Sequence, residues 1–316
     1  MSQARIEQPV TGTVIALRTG ARVGWLSTAS DYLQLMKPRI VVLLLVTALC
    51  AMLVAADGLP SWRVMLAGLL GLGLSGGGAN AVNMWYDRDI DRVMRRTQNR
   101  PVPAGRLSAQ SALWFGIACE AVSVAVLALW TNPLAALLSL GGFVYYVVVY
   151  TMGLKRRTPQ NIVIGGGAGA FPPLVGWAAV TGGLGLATLF MFLIVFLWTP
   201  PHFWSLALYR HDDYRRARIP MMPVARGERT TKVQSVAYAV LTVLASVALY
   251  ATHAVTSIYL VAALAAGAAF VFVTVRSLAE RLPEVAWAKR TFRFSLLYLA
   301  VVFGAMVVSV PGLFGR

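Results

Sequence analysis

Acidic residues are scarce in this sequence, with 12 aspartate and glutamate residues among 316, against 28 lysine and arginine residues. Charged residues of both signs make up 13% of the chain, roughly half the usual share, which excludes an ordinary soluble domain. The two cysteines, Cys50 and Cys119, lie far apart in apolar stretches. The sequence therefore contains no disulfide framework, no cysteine-based metal motif and no motif for covalent haem attachment.

Long uncharged apolar runs dominate instead, and the mean hydropathy is +0.68. Nine segments approach the length that a helix needs to cross a bilayer: about 40–56, 64–86, 111–130, 134–153, 161–181, 186–208, 233–252, 255–275 and 294–311. The alternating pattern of a membrane barrel is absent, so only helices can satisfy the backbone hydrogen bonds. We expect an all-α polytopic membrane protein, with nine transmembrane helices around a central cavity that opens to the cytoplasmic side and to the bilayer.

The net charge of +16 follows this topology. With the nine segments numbered, 26 of the 28 lysine and arginine residues fall on one side, and only Arg63 and Arg316 on the other. The positive-inside rule then predicts a cytoplasmic N-terminus and a periplasmic C-terminus. This distribution argues against nucleic acid and leaves a secondary attraction to anionic membrane lipid. We expect residues 1–34 to form a mobile basic arm, residues 35–316 one transmembrane domain, and the location to be a bacterial inner (plasma) membrane.

Three of the few acids cluster at the end of the second segment. On a helix, Asn83, Asp87 and Asp91 share one face, whereas Asp89 lies roughly opposite Asp87. Two clustered carboxylates repel unless a cation lies between them, and a small set of oxygen ligands suits Mg²⁺ with water and phosphate. The motif predicts a Mg²⁺ site whose downstream arginines hold a diphosphate. A solvated, salt-bridged loop is the alternative interpretation.

Other polar features are ambiguous by themselves. The tribasic turn from Lys155 to Arg157 is either a topology signal or a phosphate site. The glycine run at 165–169 lacks the strand and the Lys-Ser or Lys-Thr pair of a phosphate loop, so it predicts a closely packed, kinked helix. Glu120, within the third segment, is either a site residue or the partner of a neighbouring helix.

An aromatic cluster with one imidazole, Trp198 to Trp204, ends the sixth segment. The pair Pro200 and Pro201 is expected to break the backbone hydrogen-bond ladder near the cytoplasmic end, which membrane helices tolerate where the freed carbonyls face a cavity. The cluster suits a large flat ligand, and an interfacial aromatic belt is the alternative. The loop that follows the sixth segment also contains Asp213.

Asp91 and Asp213 each begin the pattern D-x₉-P-V-x-x-G. The echo predicts a parallel four-helix repeat, about 40–153 and 161–275, plus a ninth helix. Two acidic loops would then face each other across one mouth.

This combination suits a substrate with a diphosphate head and an apolar tail. Mg²⁺ would stabilise the diphosphate as a leaving group, and aromatic faces such as Tyr146 and Tyr150 would stabilise an allylic carbocation. A transporter or channel for lipid or haem is the alternative from another class. It is disfavoured because the acids lie at one mouth rather than at the midplane of the membrane.

The stretch from Asn83 to Arg106 resembles the first aspartate motif of the intramembrane aromatic prenyltransferase superfamily, which includes 4-hydroxybenzoate polyprenyltransferases. The stretches at 154–166, 198–204, 212–214 and 220–223 resemble its haem-modifying branch. The resemblance implies a nine-helix bundle that uses Mg²⁺ to transfer farnesyl from farnesyl diphosphate to a vinyl group of haem b. Haem A synthase or terminal oxidase assembly factors would be the partners. A phenolic or quinone-precursor acceptor is the alternative.

The resemblance also implies residue roles. Asn83, Asp87 and Asp91 would bind Mg²⁺ and diphosphate, and Asp212 and Asp213 would complete a second metal site. Many members have a second acid where Ala217 stands, so that site is expected to be thinner, with arginines supplying charge. Lys155 joins the catalytic set. The other substrate-binding candidates are Arg96, Arg100, Arg156, Tyr146, Tyr150, His202, Trp204, Arg210, His211 and Tyr214. Because histidine is scarce, His202 or His211 is the hypothetical ligand of haem iron.

Overall fold

Residues 24–314 are described by a computed structural model, and the regular structure in this range is helical. In chain order the helices are α1 (Trp25–Met36), α2 (Pro38–Ala55), α3 (Trp62–Tyr86), α4 (Arg88–Val93), α5 (Ala109–Trp130), α6 (Pro133–Val144), α7 (Asn161–Gly165), α8 (Gly167–Thr181), α9 (Leu186–Tyr209), α10 (His211–Arg216), α11 (Met222–Ala225), α12 (Glu228–Tyr250), α13 (Ser257–Arg276), α14 (Ala286–Val308) and α15 (Pro311–Phe314). A π-helix, Tyr145–Leu154, continues α6, and a 3₁₀ turn, Ser277–Ala279, continues α13.

Within residues 24–314, nine helical segments are long and apolar enough to cross a membrane. The predicted all-α, multi-pass architecture is therefore confirmed. The largest difference from the expected boundaries is at α14, which begins at Ala286 rather than near residue 294. This helix extends past its apolar run through Lys289, Arg290 and Arg293, because a helix that leaves the membrane tolerates charge.

Residues 25–34, assigned from sequence to a mobile arm, form most of α1. This helix packs against α3, where Leu35 joins a buried cluster with Ala81 and Met84. Asp31 Oδ1 accepts a hydrogen bond from Arg106 Nε at 2.9 Å. With 12 residues, α1 is too short to cross a bilayer, so it does not appear as an apolar span in the sequence. The rest of the predicted arm, residues 1–23, lies outside the described residues.

Glycines bring α3 and α5 into backbone contact. A Cβ atom on Gly78 would lie 2.6 Å from the carbonyl oxygen of Gly116, and one on Gly116 would lie 2.7 Å from that of Gly78. Small residues permit this approach between membrane helices. The contact fixes the second half of α3, which carries Asn83 at its end.

Gly165 and Gly166, at the start of the glycine run at 165–169, pack closely against neighbouring helices. A Cβ atom on Gly165 would lie 2.1 Å from the ring of Tyr150, and one on Gly166 would lie 2.8 Å from a methyl carbon of Thr199. The helix is interrupted at Gly166, between α7 and α8. The run therefore makes room for the π-helix and for α9.

The helix α9 continues through Pro200 and Pro201 to Tyr209. Only the two hydrogen bonds that these residues cannot donate are lost, and the rest of the ladder holds the helix together. The Ser205 hydroxyl also donates to the carbonyl of Pro201 at 2.6 Å. The continuous helix keeps Trp198, His202 and Tyr209 in one regular register.

We predict that Gly78→Ala lowers the free energy of unfolding by about 1–3 kcal/mol, because the new methyl group meets backbone rather than a movable side chain. Thermal unfolding of the purified protein in detergent measures the change. Gly169→Ala is the matched control, since a Cβ atom there has no contact within 4 Å. Equal unfolding temperatures for the two variants would contradict the packing argument.

Candidate active site

The predicted acidic motif straddles the junction of α3 and α4. Asn83 lies in the last turn of α3, Asp87 between the helices and Asp91 within α4. The backbone N–H of Asp87 donates to Asn83 O at 2.9 Å, and that of Asp91 to Asp87 O at 2.8 Å, so helical spacing persists across the junction. All three side chains are buried. The structure thus brings the predicted face together.

Asp87 is fully buried and lies between two cations. Its Oδ2 atom accepts a very short hydrogen bond from Lys155 Nζ, and Oδ1 lies 3.2 Å from Arg156 Nη2. Asn83 Nδ2 also donates to Oδ2 at 2.7 Å. The carboxylate is therefore neutralised by the tribasic turn, which identifies this turn as part of the site as well as a feature of the topology.

Asp89 lies on the outside of the junction and binds the other edge of Arg156. Two hydrogen bonds of 2.7 Å join its carboxylate to the guanidinium in a bidentate pair. Hydrogen bonding to Arg156 lowers the pKa of Asp89, although partial burial opposes the shift. The guanidinium also lies 4.8 Å from the centre of the Tyr86 ring. Asp89 thus orients Arg156 toward Asp87.

The partners of Asp91 lie in the loop that follows it. Its Oδ2 atom lies 2.8 Å from Arg100 Nη1, and the Thr97 hydroxyl donates to its carbonyl oxygen at 2.8 Å. The loop of residues 94–108 therefore folds back so that Arg100 reaches the acidic face.

Lys37 belongs to the site, although it is not among the site residues predicted from the sequence. It joins α1 to α2 in a left-handed conformation, with φ 52°, and its Nζ donates to Asn83 Oδ1 at 2.9 Å. Burial lowers the pKa of Lys37, and the charges of Arg100 and Lys155 lower it further. Only the docking of α1 on α3 turns Lys37 inward, so no local sequence pattern reveals this role.

The π-helix presents two of the predicted tyrosines beside the acids. The rings of Tyr146 and Tyr150 have centroids 5.6 Å apart. Thr151, one residue further on, accepts a hydrogen bond from Asn83 Nδ2 at 3.2 Å. π-Helical turns occur often at functional sites because they change which side chains face inward. Here the turn places Tyr146, Tyr150 and Lys155 around the end of α3.

The second acidic loop is built differently. Asp213, in α10, is buried and forms a very short contact with Arg216. Asp212 is exposed and lies near His211 and Arg215, at 3.7 and 3.3 Å. Arg210 stacks on Tyr209 with 5.7 Å between the guanidinium and the ring centre. Among the described residues, no hydrogen bond or ion pair joins Asp213, Asp212, Arg210 or His211 to the first motif.

Arg96 and Tyr214 join the two loops. Arg96 Nη2 donates to the Tyr214 hydroxyl at 2.9 Å, and its guanidinium lies 5.2 Å from the centre of that ring. Tyr214 belongs to a buried apolar cluster with Met94 and Trp204. Trp204 is completely buried, so it is a core residue that supports the loops. It does not line a site.

Four cations meet three carboxylates at the first motif: Lys37, Arg100, Lys155 and Arg156 against Asp87, Asp89 and Asp91. Among residues 24–314, no group of three or more Asp, Glu, His or Cys side chains is arranged to hold a metal ion. The donors present are two buried carboxylates and one carboxamide. This set suits Mg²⁺, which commonly uses one or two carboxylates and takes its other ligands from substrate phosphates and water.

Glu120 lies apart from this site, on the face of α5 that approaches Gly78. Neither of its carboxylate oxygens has a hydrogen-bond partner among the described residues. No role for it follows from these contacts.

Comparison with known proteins places this arrangement in a family. A sequence model of the UbiA prenyltransferase family matches residues 44–309. A solved structure of a UbiA homolog from Archaeoglobus fulgidus bound to DMAPP and Mg²⁺ has the same fold, with a TM-score of 0.64 and 20% identity, and the match covers 88% of this chain and 99% of that one. The chain belongs to the UbiA prenyltransferase family, and it is a membrane-embedded prenyltransferase.

Two relatives with much higher identity carry one name. A protoheme IX farnesyltransferase from Symbiobacterium thermophilum is 56% identical over 280 residues, which cover 89% of this chain and 94% of the relative. A protoheme IX farnesyltransferase from Acidiphilium cryptum is 46% identical over 290 residues, with 90% and 91% covered. The expected family is thereby confirmed.

We predict that Asp87→Asn destabilises the protein by roughly 3 kcal/mol, because removing one member of a buried ion pair leaves the other uncompensated. Asp89→Asn is the matched control and should cost less than about 1 kcal/mol, since its carboxylate is mostly exposed. Thermal unfolding in detergent at pH 7 compares them. A larger loss for Asp89→Asn would contradict the assignment of the buried pair.

The lowered pKa of Asp89 also determines how its contribution to folding stability changes with pH. Its small contribution to stability is complete above the pKa of an unfolded aspartate, about 3.9, and is lost as the pH falls through the lower folded value. The difference in unfolding temperature between the wild type and Asp89→Asn should therefore vanish in strong acid.

Proposed function

We propose that this chain is a protoheme IX farnesyltransferase. It transfers the farnesyl group of farnesyl diphosphate to a vinyl group of haem b, with addition of water, and gives haem O and diphosphate. The observation that carries this proposal is the buried cluster of carboxylates and excess cations at the end of α3, in a chain 56% identical to a relative of that name. The cluster fits a diphosphate head, and the surrounding apolar helices fit a prenyl tail.

The cations bind the diphosphate. Four cations contact the side chains of the acidic face: Lys37, Arg100, Lys155 and Arg156. Arg96 lies on the same loop as Arg100. A diphosphate offers these groups more negative charge than the aspartates do, so they exchange carboxylate partners for phosphate oxygens. Guanidinium groups suit this role because they bind phosphate through two parallel hydrogen bonds.

The carboxylates released by this exchange suit a divalent cation. Asn83, Asp87 and Asp91 would hold Mg²⁺, which neutralises the diphosphate as a leaving group. Asp213 would support a second ion, and Arg216 beside it supplies positive charge where the family pattern has another acid at position 217. Asp212 takes no part because its side chain is exposed.

The tyrosines of the π-helix stabilise the farnesyl cation. When the bond between carbon and the diphosphate oxygen breaks, positive charge spreads over the allylic carbons. Electron-rich ring faces attract such a charge, most strongly where water is excluded. Tyr146 and Tyr150 are half-buried near the end of α3, and their rings limit the access of water to the cation until the vinyl carbon attacks.

The topology is part of the same proposal. The basic loops lie in the cytoplasm and the C-terminus in the periplasm of a bacterial inner membrane, as the distribution of lysine and arginine indicates. Haem b and farnesyl diphosphate are amphiphiles, so both reach the helices from the membrane and its cytoplasmic surface. Haem A synthase or oxidase assembly factors then accept the product.

Product analysis tests the reaction directly. Purified protein in detergent is supplied with haem b, farnesyl diphosphate and Mg²⁺, and the haem products are separated by chromatography and weighed by mass spectrometry. We expect Asp87→Ala to lower the rate by about 10²–10³-fold, because an electrostatic contact in the transition state is lost. Chelation of divalent cations should have a similar effect.

Glu284→Gln is the control for Asp87→Ala, because Glu284 is an exposed acid in another loop. Release of diphosphate with a phenolic acceptor, but no haem product, would overturn the choice of acceptor. Full activity of Asp87→Ala would overturn the site itself.

We expect Lys37→Gln to raise the KM for farnesyl diphosphate by about tenfold, which corresponds to about 1.4 kcal/mol of lost binding. The residue lies against Asn83 rather than in the lipid headgroups, so its loss removes a phosphate ligand. Arg39→Gln is the control, because Arg39 lies two residues away and is exposed. Equal KM values for the two variants would show that Lys37 does not bind the diphosphate.

A further inference from the structure

His202 is enclosed by aromatic rings. Its imidazole stacks between Trp198 and Phe292, with ring centroids 4.2 and 4.6 Å away and interplanar angles of 19° and 26°. Phe203 approaches edge-on at 5.1 Å. With both faces covered, the ring cannot change its plane without displacing an aromatic neighbour. Only its two nitrogen atoms remain for polar contacts.

The hydrogen bonds of Ser295 determine the tautomer of this imidazole. Ser295 Oγ donates to the carbonyl oxygen of Phe292 at 2.7 Å, which uses the only proton of the hydroxyl group. The same Oγ lies 2.7 Å from His202 Nδ1. When the hydroxyl keeps its bond to Phe292, it accepts from Nδ1–H, and the neutral ring then carries its proton on Nδ1 and a lone pair on Nε2.

The Nε2 atom has no partner within the described part of the chain. His202 is 7% exposed, so its ring is not completely enclosed. A neutral imidazole that is oriented through one nitrogen and offers the other is the usual form of a metal-ligating histidine.

We propose that His202 Nε2 is the axial ligand of the iron of a porphyrin, with Ser295 as the positioning residue that fixes the ring. This inference rests on the proposed function, in which the acceptor is an iron porphyrin. Apolar rings and one hydroxyl surround the imidazole, an environment that suits a neutral ligand better than a base that must pass a proton to water. His202 precedes Tyr209 by seven residues, so it lies about 10 Å along α9 from the start of the loop that contains Asp213.

His211, the other hypothetical ligand, is placed differently. Its Nδ1 lies 3.7 Å from the exposed carboxylate of Asp212, at the start of α10. It lies outside the stack of Trp198, His202 and Phe292, so it serves as a control.

The test measures porphyrin binding by the full chain in detergent, without farnesyl diphosphate, so its readout is separate from turnover. Iron protoporphyrin IX and metal-free protoporphyrin IX are titrated in parallel, and absorption and electron paramagnetic resonance spectra of the bound iron are recorded. We expect Ser295→Ala to weaken iron porphyrin binding by about tenfold, as loss of the partner of a metal-bound histidine does. His202→Gln should cause a larger loss and a changed iron spectrum, and added imidazole should restore the spectrum of His202→Ala.

Metal-free porphyrin separates ligation from packing. We expect these variants to bind it as the wild type does, and His211→Gln to leave both affinities unchanged. Equal losses for both porphyrins would show that His202 only packs the core and would overturn the assignment. An unchanged iron spectrum in His202→Gln would show that the imidazole does not bind the iron, which also overturns the assignment. If the wild type binds neither porphyrin, the acceptor class in the proposed function fails, and the ligand assignment fails with it.

Discussion

Burial of the Asp87 carboxylate is the constraint on which the rest of the site depends. A buried carboxylate is costly unless it is paired, and here Lys155 and Arg156 neutralise it while Asn83 donates a further hydrogen bond. These partners come from two segments far apart in the chain. The ion pairs therefore fix the end of α3 against the π-helix, and they assemble the charges that a diphosphate and a divalent cation would exchange.

The helices reach this arrangement because glycine permits close contact. Gly78 and Gly116 bring the backbones of α3 and α5 together, and Gly165 admits the ring of Tyr150. A side chain at any of these positions would displace a helix or a ring that helps to position the site residues. The geometry of the charged cluster therefore depends on how the membrane helices pack. Small residues at the helix contacts determine where the large and charged side chains lie.

The two loops that follow α3 and α9 are related but not equivalent. Each long helix is succeeded by a helix of six residues, α4 or α10, that carries a buried aspartate. Asp91 pairs with Arg100 nine residues later, whereas Asp213 pairs with Arg216 within its own helix. The Arg96–Tyr214 hydrogen bond joins the loops. A duplication of four-helix units agrees with this local likeness and stays a prediction.

The sequence by itself determined the membrane class, the nine spans and the acidic face of Asn83, Asp87 and Asp91, because hydropathy and helical spacing are local properties. It also indicated the tribasic turn, although not its partner. Only the tertiary structure decided that Lys37 turns inward, that Trp204 is core and Asp212 exposed, and that Ser295 fixes the ring of His202. These outcomes depend on contacts between segments distant in the chain, such as α1 on α3 and α9 on α14, which no local pattern records. The continuous α9 shows the same limit, since proline identifies the missing hydrogen bonds but the surrounding helices decide whether the helix bends.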